Sequence, residues 1–287
     1  MKKTDNAIEI ENLSIKLNEF SLKNIDLTVP KGTVMGLIGK NGAGKSTLIK
    51  AISDCHAIEN GKIYINGIMC SEDRVEYFSK LQTVFDEALF NTELKISKIQ
   101  KLAPKAYKNF DINFFNEKLK HFEINTKKVF DDLSFGEKKK VQLAFTLALH
   151  PQVLILDEPT TGIDPTGRAD ILDMLMDFMQ DENHSILLST HITSDLDKIA
   201  DYVTLIDNGK IIFSEDKNDL QEKLRLIRAE KNTFTEKEKS ALIGIKENSF
   251  GIEAITTDLS LAEKDGVNAV IPTVEEIMIH LVGNSDN

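Results

Sequence analysis

The chain has 287 residues, 41% of them apolar and 28% charged. That is ordinary globular usage, which excludes wholesale disorder and allows one large domain with an appendix. A formal net charge of −11 argues against a dedicated nucleic-acid binder, because phosphate contacts come from a basic surface.

In chain order, residues 7–38 alternate short apolar stretches (Ile8-Glu-Ile10, Ile25-Asp-Leu-Thr-Val29, Val34-Met-Gly-Leu-Ile38) with turn signals such as Pro30-Lys-Gly32, which predicts several β-strands. The amino-terminal Met1-Lys-Lys-Thr-Asp5 has no apolar leader, and no run reaches the roughly 18 apolar residues of a membrane span. Any membrane role is therefore expected to come through a partner. Lys45-Ser-Thr-Leu-Ile-Lys-Ala-Ile-Ser53 has the apolar spacing of a helix packed on a sheet. Cys55 and Cys70 show neither metal-ligand spacing nor a disulfide framework, as in a reducing cytosol. Residues 60–68 return to strand around the turn signal Asn66-Gly67.

From about 86 to 128 the sequence is polar, Lys-rich and scattered with Phe90, Tyr107, Phe110, Phe114, Phe115 and Phe122, which predicts short helices in a small insert. A buried helix over 143–149, a central strand over 153–156, a helix over 171–179 and a strand over 186–189 follow. This alternation predicts an α/β domain with a largely parallel sheet. Charge becomes dense near Ser214-Glu-Asp-Lys-Asn218. The expected division is a domain over 1–215, with its insert at 86–140, and an accessory or dimerisation region over 216–287. The latter holds helical candidates at 220–231 and 274–281, with short strands between them.

Two segments carry chemistry. Gly39, Lys40, Asn41, Gly42, Ala43, Gly44, Lys45 and Ser46 fit GxxxxGK[ST], directly after an apolar strand and before a helix that begins with Thr47 close at hand. Glycines let the backbone curl round phosphates with its N–H groups inward, and the helix N-terminus adds favourable potential. Lys45 is expected to reach the β and γ phosphates, and Ser46 to bind Mg²⁺. Farther on, Val153-Leu-Ile-Leu156 is followed by Asp157 and Glu158. Two carboxylates thus stand at a strand's C-terminal edge, where open α/β sheets bind ligands. Asp157 is the expected Mg²⁺ partner and Glu158 the expected general base.

Just before this strand, Leu133-Ser-Phe-Gly-Glu137 opens a Lys-rich helix. The segment resembles the LSGGQ signature of ABC ATPases. The ordered set of Gly39 to Thr47, Leu133 to Glu137, Leu154 to Pro159, Gly162-Ile-Asp-Pro165 and Ser189-Thr-His191 is similar to the ATP-binding subunit of an ABC transporter over roughly residues 6–215. The resemblance implies an ABC-type P-loop NTPase fold with antiparallel N-terminal strands, a mixed sheet core, a helical insert and a small appendix. It implies hydrolysis of ATP with Mg²⁺ and two such subunits sandwiching two ATP molecules. Transmembrane permease subunits would be partners, at the cytoplasmic face of the membrane. By the same resemblance Ser134 and Gly136 address the γ-phosphate held by the opposite subunit, Asp164 lies in the loop crossing the interface, and His191 fixes the γ-phosphate and the attacking water.

Several positions depart from the family pattern. The adenine-stacking aromatic falls near Leu17, so aliphatic contact or Phe20 is expected to replace it. Asp86 stands where a Gln is usual and can bind Mg²⁺ as a charged oxygen ligand, or be an ordinary loop acid. In the signature, Phe135 and Glu137 replace Gly and Gln, and Glu137 is expected to point outward, away from phosphate. Together with Ile271-Pro-Thr-Val-Glu-Glu-Ile-Met278, these spellings look most similar to bacterial ABC-2-type exporter ATPases, including those for antimicrobial peptides and phenol-soluble modulins. A cytosolic assembly ATPase and a nucleotide-gated binding module with little catalysis are the other readings the residues allow.

Overall fold

A computed structural model describes residues 5–17, 20–53, 58–85 and 90–282. Cys55 and the expected metal ligand Asp86 lie outside the described residues. The strands, in chain order, are β1 (Asn6–Lys16), β2 (Ser21–Pro30), β3 (Val34–Ile38), β4 (Asn60–Ile65), β5 (Ile68–Met69), β6 (Leu81–Val84), β7 (Val153–Asp157), β8 (Ser185–Ser189), β9 (Tyr202–Asp207), β10 (Lys210–Asp216), β11 (Arg225–Ala229), β12 (Leu242–Asn248), β13 (Gly251–Thr256) and β14 (Asn268–Val270).

Two sheets form the core of the main body. One is antiparallel, in the order β2-β1-β4-β5; the other is ordered β10-β9-β3-β8-β7-β6. In the larger sheet β6, β7, β8, β3 and β9 run parallel and β10 returns antiparallel. Parallel strands covered on both faces read as continuous apolar runs, and every residue of β3 and β8 is buried. β1 and β2, with one face inward, alternate instead, as Ile25, Leu27 and Val29 show by their burial. The Asn66-Gly67 signal joins β4 to β5 with both residues at positive φ, 49° and 77°, as a two-residue hairpin requires.

The parallel topology brings the C-terminal ends of β3, β7 and β8 side by side. There the glycine-rich loop, the acidic pair and His191 all emerge, so a loop more than a hundred residues before the other two shares one edge with them.

The insert's aromatics are its core. Phe145 lies at ring-centroid distances of 5.2 Å from Phe90, 5.0 Å from Phe110 and 5.8 Å from Phe115, within the range of favourable ring pairs. Helices Ile96–Ala106 and Ile112–His121 close around these rings, and helix Phe135–Leu147 carries them into the main body.

The C-terminal region forms an antiparallel sheet ordered β12-β13-β11-β14. The helix expected over 220–231 stops at Lys223, and Arg225–Ala229 is strand. Leu226 and Ile227 are both fully buried, one in the main core and one in the small core of this sheet, and a strand delivers neighbouring side chains to opposite faces. Helix Val274–Val282 packs against helix Thr193–Ile199 of the main body. Leu220, Leu226, Ile255, Val274 and Ile277 share one apolar core with Leu196 and Ile199.

Candidate active site

Helix Lys45–Ile52 starts from Gly44, which sits at φ 115° and has no side chain to cap the helix. Its first N–H groups therefore face the loop, the arrangement that binds anions. Gly39 is required by close approach: a Cβ there would stand 2.3 Å from the Ile206 carbonyl oxygen. Lys45 is buried and turns its ammonium back over the loop, donating to the Gly39 carbonyl at 2.8 Å and to the Lys40 carbonyl at 3.4 Å. Burial lowers its pKa below the ordinary value, opposed by the charges of Glu158 and Asp157. Those carboxylates act on Lys45 across the edge of the sheet, so the ammonium and both acids share one field. Ser46 is exposed beside it and Thr47 is half-buried.

At the end of β7, Asp157 accepts a hydrogen bond from the Ser189 hydroxyl of β8. Glu158 has φ of 50°, an uncommon conformation for a residue with a Cβ, and donates its N–H to the Ser189 carbonyl at 3.0 Å. This bend turns its carboxylate toward the loop after β8. There Glu158 Oε2 lies 2.8 Å from His191 Nδ1 and accepts from the Thr161 hydroxyl at 2.7 Å. The sequence reading identified Glu158 and His191 but missed Thr161, whose hydroxyl is the third partner of the pair. No group of three or more His, Cys, Asp or Glu that could hold a metal occurs among the described residues. The chemistry still fits Mg²⁺, which is held by one or two carboxylates together with phosphate oxygens rather than by an all-protein cage.

Ser134 is the N-cap of helix Phe135–Leu147. Its hydroxyl accepts from the Glu137 N–H at 3.3 Å while Glu137 Oε2 accepts from the Ser134 N–H at 2.7 Å, a capping box. Glu137 thus does not point outward: it turns back on its own helix end, because the uncapped Ser134 N–H is a partner that open solvent does not match. Desolvation pushes its carboxyl up, but the bonds from Ser134 and the charges of Lys128 and Lys140 outweigh this and leave it below the usual range. Phe135 packs over Gly162, where a Cβ would meet its ring at 3.2 Å, and Gly136 faces Ile163. The signature and the loop containing Asp164 are therefore neighbours within one subunit. Asp164 caps helix Pro165–Phe178, accepting from Thr166 N and Gly167 N, with Pro165 at the first helical position, where its missing N–H is harmless. The Gly167 N–H is the main cause of its lowered pKa.

Phe20 lies against the phosphate loop: a Cβ on Gly44 would stand 2.8 Å from its ring. Leu17 donates its N–H to the Phe20 carbonyl at 2.8 Å and packs on the same core, so the two residues weighed for the base are adjacent.

The sequence reading also missed a buried ionic network. Asp195, fully buried, accepts from Arg168 Nε and from the Thr160 hydroxyl at 2.6 Å. It ties helix Thr193–Ile199 to the segment just after Glu158. Only the fold brings these three residues together, and no local spacing marks them.

A phosphate-cradling loop, an acid pair at a strand end and a carboxylate-bonded histidine at the next strand define a P-loop nucleoside triphosphatase. Residues 22–161 match the family described as ABC transporter. The chain is 31% identical over 277 residues to the energy-coupling factor transporter ATP-binding protein EcfA2 of Clostridium tetani, covering 88% of this chain and 96% of that one. It is 29% identical over 209 residues to the bacitracin transport ATP-binding protein BcrA of Enterococcus faecalis, covering 72% of this chain and 68% of that one. A solved structure of the ATP binding subunit of an ABC transporter superposes with a TM-score of 0.67 at 26% identity, over 75% of this chain and 92% of the other. The chain belongs to the ATP-binding subunits of ABC transporters. It is an ATPase that uses ATP with Mg²⁺ and works with transmembrane subunits and a second ATP-binding subunit. No helix among the described residues is long and apolar enough to cross a membrane.

Proposed function

We propose that this chain is the motor of an ABC-2-type exporter of peptides or amphipathic compounds, working at the cytoplasmic face of the membrane and closing on ATP against a second ATP-binding subunit. The N–H groups from Gly39 to Thr47, with Lys45, hold the phosphates, and Phe20 flanks the base. Ser46 and Asp157 would hold Mg²⁺, with Asp86 a third candidate, and the ion would neutralise phosphate charge. Glu158 orients the attacking water and takes its proton, and His191 holds Glu158 in place and reaches toward the γ-phosphate. Ser134 and Gly136 address the γ-phosphate held by the opposite subunit, and Asp164 stands in the loop between the two. The domain over 1–215 carries the chemistry, and its insert at 86–140 passes closure to the membrane subunit.

The observation that supports the hydrolytic part of this reading is the His191–Glu158 contact, 2.8 Å long, at the strand ends beside Lys45. Closure is driven by bonds from the signature to a charged phosphate, each about 1.5 to 3 kcal/mol. Likeness to BcrA and the LSFGE signature support export, whereas the longer match to EcfA2 makes direction the point to test. Cells expressing the chain with its membrane subunits are expected to survive amphipathic peptides better than cells carrying Glu158→Gln, and the purified variant is expected to keep ATP without turning it over. Equal survival, or uptake of a labelled compound driven by the wild type, overturns the export reading; undiminished hydrolysis by Glu158→Gln overturns the role of Glu158.

A further inference from the structure

His191 stands between β8 and the short helix Thr193–Ile199, and the C-terminal region holds that helix at both ends. At its start, the Thr193 hydroxyl donates to Glu275 Oε2 at 3.5 Å. At its finish, Lys217 Nζ donates to the carbonyls of Asp197 at 3.0 Å and Leu196 at 3.4 Å, the pairing of a cation with the bare carbonyls of a helix C-terminus. Between them, Leu196 and Ile199 lie in one buried core with Val274 and Ile277.

The helix has no slack toward the main sheet either. Leu196 presses on β3 so closely that a Cβ on Gly36 would meet its methyl groups at 2.7 Å, and Asp195 is locked to Arg168 and Thr160. The C-terminal helix is itself fixed. Buried His280 has Nδ1 2.6 Å from the Gly244 carbonyl and Nε2 3.3 Å from Glu253 Oε1, and Arg228 joins Glu253 to Glu276.

We infer that the C-terminal region is a positioning element for the reaction: Lys217 and Glu275 clamp the helix that follows His191 and so set the placement of its imidazole against Glu158. The inference rests on the role given above to His191. A helix held between β3 and this clamp cannot shift without moving the imidazole, and misplacement of a reacting group by about 1 Å can slow a reaction by about a hundredfold. Lys217 and Glu275 touch no reacting atom and act through the backbone of Thr193–Ile199.

The test is a double-mutant cycle on the full-length chain, read as kcat and KM for ATP together with the affinity for a fluorescent ATP analogue. The Lys217→Met/Glu275→Ala variant is expected to lose about tenfold in kcat with KM and analogue affinity changed less than about twofold, a smaller displacement than the limiting case. Lys217→Arg/Glu275→Gln, which keeps a donor and an acceptor at the two positions, is expected to restore kcat. In a His191→Ala background the clamp variant is expected to cause no further loss, since both changes then remove one coupled effect. A clamp variant with normal kcat, or one whose loss adds in full to that of His191→Ala, overturns the inference and leaves the role of His191 standing. Normal kcat in His191→Ala alone overturns that role and the inference with it. Loss of kcat with equal loss of analogue affinity marks a merely structural contribution and also overturns the inference.

Discussion

His191 Nδ1 and Glu158 Oε2 stand 2.8 Å apart, although 33 residues separate them in the chain. The contact exists because β7 and β8 are adjacent parallel strands with Asp157 paired to Ser189. Replacing His191 by Ala is expected to lower kcat by about a hundredfold, the size usual for loss of a group that orients an acid or base. Steady-state phosphate release checks this, and fluorescent nucleotide titration is expected to show nearly unchanged affinity.

Ser134 has a capping role that is separable from any role toward phosphate. Ser134→Ala removes the acceptor for the Glu137 N–H and is expected to destabilise the protein by about 1 kcal/mol. Ser134→Asp keeps a cap but sets a negative charge at the helix end. It is expected to melt like the wild type yet fail to dimerise with ATP, which size-exclusion chromatography and thermal denaturation measure together.

Gly39 and Gly42 should answer differently to the same substitution. A Cβ on Gly39 would lie 2.3 Å from the Ile206 carbonyl oxygen, whereas one on Gly42 meets nothing within 4 Å. Gly39→Ala must push the loop off β9 and is expected to abolish ATP binding. Gly42→Ala bears only the strain of φ 80° and is expected to weaken binding by about fivefold, for a backbone penalty of about 1 kcal/mol. Isothermal titration with ATP distinguishes the two.

Glu238 contributes to the acid sensitivity of the C-terminal region through its ion pair with Lys264. Its carboxyl is held at about 2 rather than the ordinary 4.5, chiefly by Lys264 and then by the N–H and hydroxyl of Thr235. Because the folded value is depressed, the contribution is complete above the unfolded value and fades as pH falls from about 4.5 toward 2. Glu238→Gln is expected to flatten that part of the stability profile while leaving the slope above pH 5 unchanged, as urea denaturation across pH would show.

Much of the nucleotide site was legible because it is made of contiguous segments. The phosphate loop, the acidic strand end and the signature each carry their chemistry within ten residues, and apolar runs announced β3, β7 and β8. What stayed hidden depends on distant partners. Glu137 reads as an anion to be kept away from phosphate, yet the Ser134 N–H folds it back on its own helix end. Arg168, Thr160 and Asp195 are unremarkable in sequence and meet only when β7 and β8 are paired. β11 hides its strand character because its buried residues are consecutive rather than alternating, Leu226 and Ile227 serving two different cores.

The shared core of Leu196, Ile199, Val274 and Ile277 makes residue 215 a poor place to cut. A chain ended there would leave greasy side chains bare on the flank of the motor, inviting self-association before any nucleotide is met. Transplanting this engine onto a foreign permease would therefore require carrying its tail along, since the tail supplies the wall on which the engine's rear helix rests.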